Sequence, residues 1–107
     1  MAEPDIARYL PLSEATYYIL LALVEPLHGY GIMQKVEGLS EGTVSIGPGT
    51  MYGAFGTLEK EGLIAMVKEA DRRKVYLLTG RGRQVLAEQI RRLGIMARNG
   101  QDVLSKL

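Results

Sequence analysis

One segment limits the folds open to this 107-residue chain more than any other. "LIAMVKEADRRKVYLLT", Leu63–Thr79, reads as two strands, Leu63–Lys68 and Lys74–Thr79, flanking the polar turn "EADRR". On both sides of this hairpin the apolar residues recur at helical spacing. Ser13, after Pro11 and Leu12, has the chemistry of an N-cap, and the spacing predicts a first helix over Glu14–Glu25, stopped by Pro26. A short second helix is expected over Tyr30–Glu37, with Ile32, Met33 and Val36 on its apolar face and Gly38 at its end. "TVSI", Thr43–Ile46, reads as a short extended stretch. Pro48 suits a first helical position, where its missing N–H costs nothing. A third helix is expected over Pro48–Glu61, with Met51, Phe55 and Leu58 inward and Gly62 as its left-handed cap. Thr79 is placed to cap a final helix.

Helix, helix, short strand, helix, hairpin, helix is the element order of a winged helix-turn-helix. The predicted fold is therefore mainly α with a small β-hairpin wing and a long C-terminal helix. The second and third helices form the turn motif. The final helix carries Leu86, Ile90, Leu93, Ala97, Gly100, Leu104 and Leu107 at alternating steps of four and three, a heptad seam with no partner of its own. A second copy of the chain is the simplest partner, and Leu86, Ile90, Leu93, Ala97 and Leu104 are the expected dimerisation residues. The expected division is a winged helix-turn-helix unit over 1–80 and a dimerisation helix over 81–107, built as one compact body.

Composition removes several functions. There is no cysteine and His28 is the only histidine, so thiol chemistry, zinc ribbons and nucleophile–base pairs cannot be assembled. Neither an enzyme nor a metal site nor a cofactor is expected. His28 reads as a helix-start or packing residue. The longest apolar run, Tyr17–Val24, is far short of a membrane span, and "MAEPDIARYLPL" lacks a leader's apolar core, so a cytoplasmic protein is expected. "GTVSIGPGT" superficially resembles a phosphate loop, but Pro48 stands where the lysine must be.

The net charge of +1 hides an asymmetry. Residues 1–67 hold eight acids against three bases. Residues 68–92 hold eight bases against three acids, a basic block suited to a polyanion. Arg72, Arg73 and Lys74 lie at its hairpin turn. The third helix is the other anomaly, because Gly49, Gly53 and Gly56 sit in its first two-thirds and each interior glycine costs about 0.5–1 kcal/mol relative to alanine. With Met51, Phe55 and Leu58 inward, the opposite face shows Gly49, Thr50, Gly53, Ala54 and Thr57. One reading is close approach to a DNA groove, with helix N-terminal N–H groups and Thr50 offered to phosphate and Ala54 and threonine methyls to thymine. The other is tight packing of Gly53 and Gly56 against a neighbouring helix.

"YYILLAL", "HGYGIMQKV", "GPGTMYGAFGTLEKEGLI" and "RRKVYLLTGRGRQVL" together resemble the PadR family of bacterial winged-helix regulators, over roughly residues 12–87. The short C-terminal region resembles the small subfamily with a single C-terminal helix. The resemblance implies a homodimer that binds double-stranded DNA at a pseudo-palindromic operator and represses transcription. It makes Pro48–Thr57 the recognition helix, with Tyr52 in the family's tyrosine position beside the DNA. Tyr30 matches the tyrosine at the start of the second helix, and Arg72, Arg73 and Lys74 fall on the wing. The family commonly carries lysine or arginine near positions 56 and 57, where this chain has Gly56 and Thr57. Some members release DNA on binding an aromatic or drug-like effector between subunits, often against a tryptophan that this chain lacks. Here the first helix (Tyr17–Val24), Ile95 and Met96 would line such a space. The competing reading is a winged-helix dimer whose uncharged third helix docks a protein rather than a groove.

Overall fold

A computed structural model describes residues 6–107 of the chain. The N-terminal pentapeptide, part of the stretch read above for a leader, lies outside the described residues. A 3-10 turn at Ala7–Tyr9 precedes α1 (Glu14–Ala22), β1 (Leu27–His28), α2 (Gly29–Leu39), α3 (Pro48–Lys60), β2 (Ile64–Ala70), β3 (Arg73–Leu78) and α4 (Gly80–Leu104). The architecture is the expected winged helix-turn-helix, with one addition. β1 pairs antiparallel with β3, making a three-stranded sheet in the order β1-β3-β2. Two residues between Pro26 and a helix carry no period to read, and only the pairing of Leu27 with Tyr76 and His28 with Val75 makes them a strand.

The helix boundaries follow from local chemistry. Ser13 Oγ accepts from the Thr16 N–H at 3.1 Å, and Thr79 Oγ1 accepts from the Gly82 N–H at 3.0 Å, so both N-caps are where the sequence puts them. α3 starts with Pro48 at its first turn and ends in a Schellman motif. There Gly62, at φ 76°, donates to the Glu59 carbonyl at 3.0 Å while the Leu63 N–H reaches Leu58 O at 2.9 Å. α1 is shorter than expected and stops at Ala22, with Leu23 as its C-cap, before Pro26 is reached. "TVSI" forms no strand. It is a loop pinned by buried Val44 and Ile46, and the buried Ser40 hydroxyl closes it by accepting from the Val44 N–H at 3.0 Å.

One core holds these elements together. Ile19, Leu20 and Leu23 from α1, Ile32 and Val36 from α2, and Met51, Phe55 and Leu58 from α3 are buried with Leu63, Ile64, Tyr76, Leu78, Val85 and Leu86. Burying side chains of this size contributes about 1.5–3 kcal/mol each. The first turns of α4 belong to this core: Gly82, Val85, Leu86 and Gln89 are buried. At Gly82 a Cβ would overlap the Leu63 carbonyl, so only glycine lets α4 lie this close to the end of α3. Thr79 adds to the junction by donating to Gly62 O at 2.6 Å. Buried Gln89 accepts from the Leu12 N–H at 2.9 Å and ties the N-terminal segment to α4.

Beyond Gly94 every residue of α4 is exposed. The helix is about 37 Å long at 1.5 Å per residue, and it stretches the molecule to 53 Å along its longest axis. Leu86 was expected in the dimer seam, but it is 5% exposed and packs in the chain's own core. The seam left uncovered starts at Ile90 and runs through Ala97 to Leu104 and Leu107, with half-buried Leu93 at its inner edge. Met96 and Val103, one heptad apart, widen it on one side.

Candidate nucleic-acid interface

The geometry of α3 follows from its burial pattern. Met51, Phe55 and Leu58 face the core, and the opposite face exposes Gly49, Thr50, Gly53, Gly56, Thr57 and Lys60, with Ala54 half-buried at its margin. A Cβ added at Gly49, Gly53 or Gly56 would meet nothing within 4 Å. These glycines therefore pack against no part of this chain, and the packing reading of Gly53 and Gly56 is removed within the protomer. What remains is an exposed helix face with almost no side-chain relief.

Beside this face lies a groove of about 580 Å³ lined by His28, Gly29, Tyr30, Tyr52, Arg72, Arg73, Lys74 and Tyr76. Five of the expected site residues, Tyr30, Tyr52, Arg72, Arg73 and Lys74, are thus brought together from α2, α3 and the wing. Tyr30 and Tyr52 are each 60% exposed, too open for core residues. Tyr52 stands edge-on to Phe55 at 5.9 Å, and Phe55 in turn packs on Tyr76 at 4.7 Å, so the ring row is anchored in the core. Burial raises the Tyr76 phenol above its ordinary value, with Glu59 and Tyr52 adding to the shift.

The wing turns through Asp71 and Arg72, at φ 53° and 65°, the positive values a two-residue hairpin turn requires. The strands therefore run further toward the tip than expected, and Arg73 is the first residue of β3 rather than part of the turn. Arg73 Nη1 lies 3.2 Å from His28 Nε2. His28 itself is the N-cap of α2, its Nδ1 accepting from the Gly31 N–H at 3.4 Å. A neutral imidazole accepts at only one nitrogen, so the two contacts compete for the ring. A guanidinium carries five N–H donors, so the His28 contact does not exhaust Arg73. Gly29 allows the closeness of α2 and α3 at the groove floor, since a Cβ there would come within 2.7 Å of Met51 Cε and 3.0 Å of Tyr52 Oη. Sequence reasoning missed Gly29, Tyr76 and the position of His28 in the groove, because β1 brings them there.

An exposed helix face of mostly small residues thus stands beside a groove that gathers tyrosines and wing cations. The family model "Transcriptional regulator PadR-like family" matches residues 19–88. The chain belongs to the PadR-like family of transcriptional regulators. Over 78 residues it is 36% identical to an uncharacterised 37.1 kDa protein in transposon Tn4556 of Streptomyces fradiae, covering 72% of this chain and 22% of that protein. It is 33% identical over 61 residues to the transcriptional regulator YqjI of Escherichia coli K12, covering 57% of this chain and 30% of the relative. The chain thus spans less than a third of the length of these curated relatives. The fold is also that of a PadR-like transcriptional regulator from Bacillus cereus ATCC 14579, with a TM-score of 0.71 over 94% of this chain and 96% of that one, at 23% identity. The family is one of transcriptional regulators, and no group of three or more metal-ligating side chains occurs among the described residues.

Proposed function

We propose that this PadR-like regulator binds double-stranded DNA as a homodimer and represses transcription from a pseudo-palindromic operator. The observation that carries the reading is the open space over Gly49, Gly53 and Gly56, beside a groove that gathers Arg72, Arg73 and Lys74. A helix presented at backbone height reaches a major-groove floor, where Thr50, Ala54 and Thr57 meet thymine methyls. The N-terminal N–H groups of α3 and the wing cations suit the phosphates.

The exposed seam of α4 supports the dimer, since Ala97, Leu104 and Leu107 have no cover in the protomer. Two recognition helices related by a two-fold axis ask for half-sites about one helical turn apart. Such a protein works in the cytoplasm, where the operator is, and no described helix is long and apolar enough to cross a membrane. Effector control belongs to the dimer: Ile95 and Met96 are exposed in the protomer, so a chamber that they line needs the second chain. By linkage, an aromatic molecule bound there weakens operator binding by the factor by which operator weakens its own binding.

The test is a mobility shift on the DNA upstream of the protein's own gene, with a salt titration. The expected result is a specific complex whose affinity falls steeply with salt. Absence of duplex binding at low salt, with a partner protein bound through α3, refutes the reading in favour of a docking module.

A further inference from the structure

The wing lies along only one margin of α3. At about 100° per residue, Tyr52 marks that margin and Thr57 and Glu61 mark the other, with Gly49, Gly53, Gly56 and Lys60 exposed between them. A major groove is bordered by the phosphates of two strands, so a helix seated in it needs anion-binding groups on both flanks.

The second flank is occupied by residues that sequence reasoning did not single out. Arg8, Thr57, Lys60, Glu61 and Arg81 line one shallow surface depression, and Arg8, Tyr9, Thr57 and Glu61 share the adjoining one. They come from the 3-10 turn, the last turns of α3 and the first turn of α4. Tyr9 organises them. Its hydroxyl accepts from Arg8 Nη2 at 2.7 Å and from Arg81 Nη1 at 3.4 Å, so one phenol oxygen gathers the guanidinium of its neighbour and another from 72 residues along the chain. An oxygen accepting from two cations aims its own proton away from them. Both guanidinium groups hold the Tyr9 phenol below its usual range, Arg8 more strongly, as expected for positive potential at this point. Among the described residues, Glu61 supplies one carboxylate beside Arg8, Lys60 and Arg81 in the depression at Thr57.

We propose that Lys60, Arg81 and the Tyr9 hydroxyl form a second phosphate-binding site, which holds the DNA strand opposite the one held by the wing. This rests on the DNA-binding reading and deepens it. The anchoring charge of this site stands off the middle of α3, which carries Gly56 and Thr57, in its last turn and in α4. The glycine-bearing stretch of the inserted face stays bare, while Lys60 at its C-terminal end and the two flanks carry the charge.

The probe is a 30-base-pair duplex of mixed sequence, titrated with the full chain from low to moderate salt. Each phosphate contact contributes about 0.9 to the log–log salt slope. Lys60→Ala with Arg81→Ala is expected to lower the slope by about two and the affinity at 0.1 M salt by about 50-fold. Arg81→Lys, which keeps the charge, retains the slope. Both residues are exposed, so the thermal midpoint stays at the parental value. Arg98→Ala, on the far part of α4, controls for net charge and leaves the slope unchanged. A parent that binds no duplex overturns this inference and the DNA-binding reading together. A parent that binds, loses slope with Arg72→Ala and Arg73→Ala, and keeps it with Lys60→Ala and Arg81→Ala overturns this inference alone. A loss no larger than that of Arg98→Ala also overturns it.

Discussion

Replacing Gly53 and Gly56 by alanine should make the protein more stable and worse at its task. Both positions lie inside α3, and a Cβ at either meets no atom within 4 Å, so the substitution adds no clash. What changes is the unfolded chain, where glycine has more freedom to lose, and each exchange is worth about 0.5–1 kcal/mol. The pair should therefore add about 1–2 kcal/mol, because the sites are exposed and share no packing partner. For a domain of this size, about 4 °C per kcal/mol gives a rise in thermal midpoint of about 4–8 °C. Melting curves must be compared at one protein concentration, since a dimer's midpoint depends on it. In the proposed complex the same methyl groups stand between α3 and the groove floor. Gly53→Ala is expected to weaken binding to the upstream fragment about tenfold or more, and Gly53→Leu to abolish the specific complex at unchanged fold. A midpoint that falls would show that these glycines are needed for packing. A midpoint that rises with undiminished DNA affinity would show that close approach is not their purpose.

Leu104 is 58% exposed on the uncovered seam, so Leu104→Asp should leave the protomer folded. The loss of two buried leucines at about 1.5–3 kcal/mol each should weaken dimerisation at least 100-fold, and sedimentation showing the parental dimer at micromolar concentration would refute the seam. Arg72→Gly removes a side chain from a residue at φ 65°, relieving about 1 kcal/mol of left-handed strain while taking away a wing charge. Urea unfolding should show a gain, and the salt slope for duplex binding should fall by about one; a loss of stability would mean that Arg72 holds the wing by contacts other than its turn. Gln89→Leu leaves the Leu12 N–H without its acceptor and should cost about 1–3 kcal/mol in urea unfolding, whereas no change would mean that water replaces the amide.

What the sequence made legible was whatever is decided within a few residues. The caps at Ser13, Pro48, Gly62 and Thr79, the inward stripe Met51–Phe55–Leu58 and the two wing strands each follow from chemistry at spacings of two to four. What escaped was set by pairing across the chain. Leu27–His28 become a strand only through β3, and that strand carries His28 into the groove beside Arg73. Gln89 looks like a surface residue until Leu12 is placed above it. The Tyr9 cluster joins residues from opposite ends of the winged unit, and no local pattern marks it. Leu86 satisfies the heptad and the core equally well in one dimension; only the close seat of α4 at Gly82 decides between them.

That seat has a mechanical consequence. The end of α3 and the start of α4 share one joint, in which Thr79 caps α4 while its hydroxyl and N–H bind the carbonyls of Gly62 and Leu63, and Gly82 lies against the same peptide. Such a joint has no slack, so α3 and α4 turn as a single lever, with its fulcrum in the proposed dimer. Over a lever of about 37 Å, each 5° of tilt displaces the far end by about 3 Å, close to one base-pair step. In the proposed dimer, the angle at which two copies cross is thereby written directly into the half-site spacing that the pair can span.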